Sequence, residues 1–127
     1  MILLTDTGTQ TVEVGAPVTY GTKVFQTGGG ECHRRGSGGV TLRCKGIYEI
    51  HFSANVSGTA PVELTIEAGG EPLTETVMVS NVAGAQNVAT MTAVRNFCEG
   101  YDRISVVNTG DAAATVENAK LFVKRIA

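Results

Sequence analysis

The stretch GIYEIHFSANV, residues 46–56, decides the fold class of this chain. Apolar residues occupy every second position from Tyr48 onward, and a period of two is that of a β-strand with one face turned to a core. The expected strand has a polar back. Its apolar face consists of Tyr48, Ile50, Phe52, Ala54 and Val56, and its polar face of Glu49, His51, Ser53 and Asn55.

The next run along the chain, PVELTIEAGGEPL at residues 61–73, repeats this pattern. Val62, Leu64 and Ile66 alternate with polar residues, which predicts a second half-buried strand. Gly69 and Gly70 follow it, and glycine adopts positive φ without steric cost. We therefore expect a hairpin turn at these two glycines, leading into a strand that starts near Thr74.

The remainder of the chain has the same β character. Short β-branched runs are separated by 16 glycines and other turn residues, and Trp is absent. Helical periodicity is nearly absent, so the pattern predicts an all-β antiparallel sandwich of two sheets with about ten short strands. The strands are expected at residues 10–14, 18–25, 39–44, 47–56, 62–68, 74–80, 88–96, 103–108 and 115–126.

Composition narrows the class further. A chain of 127 residues suits one domain, residues 1–127, in which residues 1–15 are a candidate N-terminal arm or attachment segment. Apolar residues make up 43% and charged residues 17%, a globular balance that predicts no membrane insertion. The net charge of −2 predicts no nucleic-acid partner. The start, MILLTD, lacks the basic segment and apolar length of a signal peptide.

The final strand differs from the others because it is apolar on both faces. In AKLFVKRI, residues 119–126, Leu121 and Val123 share one face, and Phe122 and Ile126 share the other. A sandwich interior covers only one side of a strand. The other side therefore needs a loop or another subunit.

Several segments resemble the C1q/TNF superfamily. They are an early apolar strand, APVTYGTKVF at residues 16–25, the strand approached through glycines in GGVTLRCKGIYEIHFSANV at residues 38–56, and the closing pair YDRISVVNTG and ATVENAKLFVKRIA at residues 101–110 and 114–127. The short, Gly-, Ala- and Thr-rich style is most similar to the microbial and bacteriophage branch. The resemblance runs from about residue 14 to the C-terminus and consists of patterning.

This resemblance implies a jelly roll that forms homotrimers. It also implies that the strand of Tyr48 and the strand of Phe122 are neighbours in the inner sheet, with their backs toward the threefold axis. The implied trimer interface includes Glu49, His51, Asn55 and Phe122. The few aromatics and the lack of a collagen-like tract argue against a complement-like or cytokine-like role.

Two functions follow as hypotheses. The first is a non-enzymatic homotrimeric module of a phage particle or a similar surface assembly, which decorates the capsid, forms a fibre head or binds a receptor. Its partner is then a capsid or other particle protein, a host receptor or a glycan. The second is a carbohydrate- or ligand-binding module of a secreted bacterial protein, in an extracellular or cell-surface location. A lectin-like site needs aromatic platforms, and aromatic residues are only 6% of the chain.

The glycine-rich segment TGGGECHRRGSGG, residues 27–39, predicts a long loop. Its His33, Arg34 and Arg35 form a candidate exposed binding loop, since guanidinium groups grip carboxylates through forked donors; the alternative is that they are only solvated. His51 beside Glu49 is a candidate pH-sensitive interface group, because imidazole changes charge near neutral pH. The alternative for His51 is a solvent-facing strand position.

No catalytic, metal-binding or cofactor site is predicted. Cys32 and His33 supply too few ligands for zinc, and a Cys98–His51–Asp102 triad lacks any local motif that would bring the thiol to a base. A cupin-type metal centre needs a histidine cluster, whereas this chain has 2 histidines. Cys44 and Cys98 are expected to be small buried apolar residues, and three cysteines in all indicate a reducing compartment of assembly.

Overall fold

A computed structural model describes residues 1–28, 30–33, 36–80, 84–96 and 102–127, without the side chains of Cys32 and Asp102. The described part contains eleven strands and one short 3-10 turn at Thr74–Thr76. The strands are β1 Ile2–Val12, β2 Thr22–Gln26, β3 Glu31–Cys32, β4 Val40–Leu42, β5 Gly46–Ser57, β6 Val62–Ala68, β7 Glu71–Pro72, β8 Met78–Ser80, β9 Gln86–Asn96, β10 Asp102–Asn108 and β11 Ala114–Arg125.

The strands form two antiparallel sheets. The five-stranded sheet has the order β2-β1-β11-β5-β9, and the other has the order β3-β4-β10-β6-β7 with β8 also paired to β6. Several neighbours, such as β11 and β5 or β4 and β10, come from distant parts of the chain, and the first and last long strands lie side by side. The all-β sandwich expected from the sequence, with the jelly-roll arrangement implied by the resemblance, is confirmed.

The core lies between the sheets and follows the alternation read from the sequence. In β5 the apolar face from Tyr48 to Val56 is at most 3% exposed, and in β6 Leu64 and Ile66 are fully buried. In β11 Leu121 and Val123 are also fully buried. Each such side chain contributes roughly 1.5–3 kcal/mol when it leaves water, so the facing sheets hold each other by apolar burial.

The N-terminal residues belong to this core, which corrects the expectation of an arm in residues 1–15. Strand β1 pairs with both β11 and β2, and Ile2, Leu4 and Val12 are buried. The sequence prediction placed a strand only at residues 10–14, because ILLTDTGT has no clean alternation. Pairing on both sides makes this segment a strand despite Asp6 and Gly8, two residue types that are depleted in strands.

Other strand bounds shift by a few residues. The strand expected at residues 18–25 begins only at Thr22, the one expected at 74–80 is a 3-10 turn followed by β8, and β3 and β7 were not predicted. Gly69 and Gly70 have φ of 61° and 86° and form the expected turn between β6 and β7. In the parts described, no helix is long and apolar enough to span a membrane.

Candidate interface on the five-stranded sheet

One transverse row of side chains crosses the outer face of the five-stranded sheet. Leu3 of β1 is paired with Phe25 of β2 on one side and with Phe122 of β11 on the other. Phe122 is paired with His51 of β5, which is in turn paired with Met91 of β9. Directly paired residues point to the same face of a sheet. The row Phe25–Leu3–Phe122–His51–Met91, here called the outer row, is therefore apolar except for one imidazole.

The outer row is open to solvent. A shallow groove of about 530 Å³ is lined by Leu3, Phe122, His51 and Met91 together with neighbouring residues of β5, β9 and β11. Phe25 and Met91 at the two ends of the row are 39% and 60% exposed, while Phe122 is half-buried. Phe122 therefore lies on the side of β11 away from the core, as the two-faced sequence pattern predicted.

Polar groups flank this row along β5. His51 Nε2 lies 2.5 Å from Glu49 Oε1, and both side chains are partly exposed, at 42% and 31%. Lys124 is paired with Glu49 across β5 and β11, and Lys120 is paired with Ser53 on the other side of the row. The groove thus has a charged and hydrogen-bonding border, the composition expected at the rim of a protein–protein interface.

The structure brings together three of the four residues named for an interface. His51 contacts both Glu49 and Phe122, whereas Asn55 lies further along the same face of β5, is exposed and is paired with Asn87. Sequence reasoning missed Leu3, Phe25 and Met91. The alternation in β9 could have placed Met91 on the outside, but the membership of Leu3 depends on the pairing of β1.

His33 lies elsewhere, at the end of β3 in the other sheet. Its Nδ1 is 2.8 Å from the Gly39 carbonyl oxygen, and its Nε2 is 3.3 Å from that of Tyr20. His33 is half-buried rather than exposed, on the segment that leads from β3 to β4, and its part in a binding loop stays a prediction. The predicted loop residues Arg34 and Arg35 lie outside the described part of the chain.

Cys44 contradicts the sequence prediction. It is an exposed free thiol, because β4 ends at Leu42 and Cys44 lies in the bend before β5. Cys98 and the side chain of Asp102, both named in the hypothetical triad, lie outside the described residues. Within residues 1–28, 30–33, 36–80, 84–96 and 102–127, no cluster of three metal-ligating side chains is found.

Known proteins are similar to this chain in structure, whereas comparisons of sequence find no match. No protein-family model and no curated protein matches the sequence. The structure is similar to the globular domain of zebrafish complement 1qA, with TM-score 0.72, 13% identity and coverage of 95% of this chain and 94% of that one. It is also similar to Eiger TNF from S. frugiperda, with TM-score 0.76, 13% identity and coverage of 99% and 92%.

A third solved structure is the PRD1 vertex protein P5, with TM-score 0.62, 16% identity and coverage of 99% of this chain and 96% of that one. All three likenesses span both chains nearly completely. At identities of 13–16%, these likenesses show that the backbones follow the same path. They carry no information on the side chains of the outer row.

Proposed function

From the premise that the chain has a C1q/TNF-like jelly-roll fold, we propose that it is a non-enzymatic homotrimeric module that binds a partner on a particle or cell surface. The observation that carries this proposal is the outer row. Four apolar side chains and one imidazole form a continuous band over all five strands of a sheet, and such bands on soluble proteins mark interaction sites.

A second copy of the chain is the occupant that this band fits best. The row lies on the sheet that contains both the first and the last long strand, and the superfamily resemblance implies that this sheet faces a threefold axis. Aromatic rings and Met are enriched in interface cores, and Lys is depleted there. This matches Phe122 and Met91 within the outer row and Lys120 and Lys124 beside it.

The oligomeric state tests this proposal directly. Native mass spectrometry or light scattering of the full chain at micromolar concentration is expected to give a mass three times 13.2 kDa. A monomer under these conditions would remove the trimer and leave the outer row without an occupant. His51 as a pH-sensitive interface group remains a prediction that depends on the same trimer.

A phage particle is the location we propose. PRD1 vertex protein P5 supports it as a phage protein of the same fold. Mass spectrometry of purified virions tests this location. The chain in the culture medium but absent from virions would favour the extracellular alternative.

A further inference from the structure

Basic side chains gather at one end of the sandwich. Strand β5 begins there while β9 and β11 end there, as the pairing of Gly46 with Asn96 and of Tyr48 with Arg125 shows. Five of the 10 Lys and Arg residues of the chain lie at this end, and all five are exposed. They are Arg43, Lys45, Arg95, Lys124 and Arg125, and we call this group the basic end.

The opposite end of the molecule carries the opposite charge. Glu13, Asp111 and Glu117 are exposed in or beside the connections where β1 and β10 end and β11 begins. The described connections there, residues 13–17, 58–61 and 109–113, contain no Lys or Arg. The net charge of −2 therefore hides a separation of charge along the strands, which the sequence total could not reveal.

Three adjoining clefts lie between the side chains of the basic end. Arg125 lines all three, with Lys124 in the first, Lys45 and Arg95 in the second, and Arg43 and Lys45 in the third. Their volumes are about 460, 350 and 480 Å³. Gly46 makes this arrangement possible, because a side chain there would collide with Arg125 and with the Ala127 main chain.

Two acidic side chains near these clefts, among those described, make contacts of their own. The Glu31 side chain is only 1% exposed, and one of its oxygens is 2.8 Å from the amino group of Met1. Glu49 contacts His51. Glu99 and the side chain of Asp102 lie outside the described residues. Arg125 Nε donates to the Ala127 carbonyl oxygen at 3.2 Å. Among the described side chains, Lys45, Lys124 and Arg125 are exposed in the clefts, so positive charge predominates there.

We infer that the basic end binds an acidic polysaccharide, whose sulfate or carboxylate groups are held by Lys45, Lys124 and Arg125. Arg supplies forked donors that match such groups, and Lys supplies a mobile point charge. Among the described residues, no aromatic ring lines any of the three clefts. Single-stranded nucleic acid needs aromatic rings for base stacking, and a protein partner usually needs apolar anchors.

This inference rests on the proposed role as a surface-binding module but not on the trimer. A monomer would carry one basic end, and a trimer would carry three on the same particle. Linked copies bind a long polymer more tightly because the later contacts are intramolecular. Binding and oligomeric state are therefore measured on the same sample, so that failure of either is recognised separately.

Heparin and polygalacturonate serve as the sulfated and the carboxylated probes, with neutral dextran and a single-stranded DNA of equal charge as comparison ligands. We expect one acidic polysaccharide to bind at low salt and to be released as salt rises, since exposed charges are screened. Lys45→Glu and Arg125→Glu should each weaken binding by about fivefold or more. Lys23→Glu, an equal charge change on β2 outside the three clefts, should weaken it by less than about twofold.

Alkylation of Cys44 provides an independent measurement of binding at the same site, since this exposed thiol lines two of the clefts. Saturating polysaccharide should slow its alkylation, measured by peptide mass spectrometry. Unchanged alkylation of Cys44 during binding would overturn the assignment. The assignment would also be overturned if neither polysaccharide bound at low salt, if DNA bound as tightly as the polysaccharide, or if Lys23→Glu weakened binding as much as Lys45→Glu and Arg125→Glu. Binding by a chain that light scattering shows to be monomeric would sustain the inference and reject the proposed trimer.

Discussion

The imidazole of His51 meets the ring of Phe122 edge-on across β5 and β11, with the ring centroids 5.8 Å apart and the planes at 62°. This contact lies at the middle of the outer row. It joins the strand that decided the fold class to the strand whose two apolar faces first indicated an interface. Phe122, which the sandwich interior does not cover, is thus next to His51, the one titratable side chain of the outer row.

Met91→Glu should dissociate the trimer without unfolding the subunit. Met91 is 60% exposed in the single chain, so the monomer tolerates a carboxylate there, whereas an interface would bury that charge without a partner. The penalty of a buried unpaired charge is several kcal/mol, so association should weaken by about 100-fold or more. Native mass spectrometry measures the shift. Val79→Glu, a matched change at a 48% exposed position of β8, should remain trimeric.

Tyr20→Phe should leave stability at neutral pH unchanged or slightly higher. Tyr20 is fully buried, and its hydroxyl has no hydrogen-bond partner among the described residues. Removing a buried group that lacks a partner relieves a desolvation cost. Urea unfolding at pH 7 measures this, and a loss of more than about 1 kcal/mol would indicate a partner for the hydroxyl.

The same variant should be the more stable form in alkali. Burial raises the pKa of the Tyr20 phenol above its ordinary value of 10.0. The unfolded chain then releases this proton first, so the native protein loses stability as pH rises above about 10. By about pH 11 the difference should reach roughly 1.4 kcal/mol in favour of Tyr20→Phe. Parallel unfolding curves at pH 7 and pH 11 without this divergence would contradict it.

Gly39→Ala should destabilise the sandwich, because a methyl group at Gly39 would overlap the carbonyl oxygen of Ile104 and crowd Arg103. Overpacking of this kind costs about 1–3 kcal/mol. Gly21→Ala is the matched control, since a methyl group there meets nothing within 4 Å. Thermal unfolding of the two variants should show a loss for Gly39→Ala alone, and equal melting temperatures would refute the close approach.

Asn108→Asp should cost more than any surface change of the same type. The Asn108 side chain is 1% exposed, and its amide nitrogen donates to the carbonyl oxygens of Val12 and Ala112, each at 2.9 Å. A carboxylate cannot donate and would face both oxygens, at a cost of about 3 kcal/mol or more. Asn87→Asp on the exposed side of β9 should change the unfolding free energy by less than about 0.5 kcal/mol. A comparable loss in both variants would deny the buried role of Asn108.

The alternation of side chains determined part of this protein from the sequence alone. A period of two is a local property, so the buried faces of β5 and β6 and the outward position of Phe122 could be read from neighbouring residues. The same reasoning was wrong for Cys44, since the alternation that suggests burial ends with β4 at Leu42 and a bend follows. The alternation of apolar and polar residues predicts burial only within the strand itself.

Only the tertiary structure decided which strands are neighbours. Leu3 and Met91 join one row because β1, β11, β5 and β9 pair in that order, and pairing between distant segments is set by how the whole core packs. Lys45, Arg95 and Arg125 likewise form one basic end because a turn and two strand ends converge there. The net charge and the alternation of side chains do not predict which distant residues become neighbours, since that depends on contacts between residues far apart in the chain.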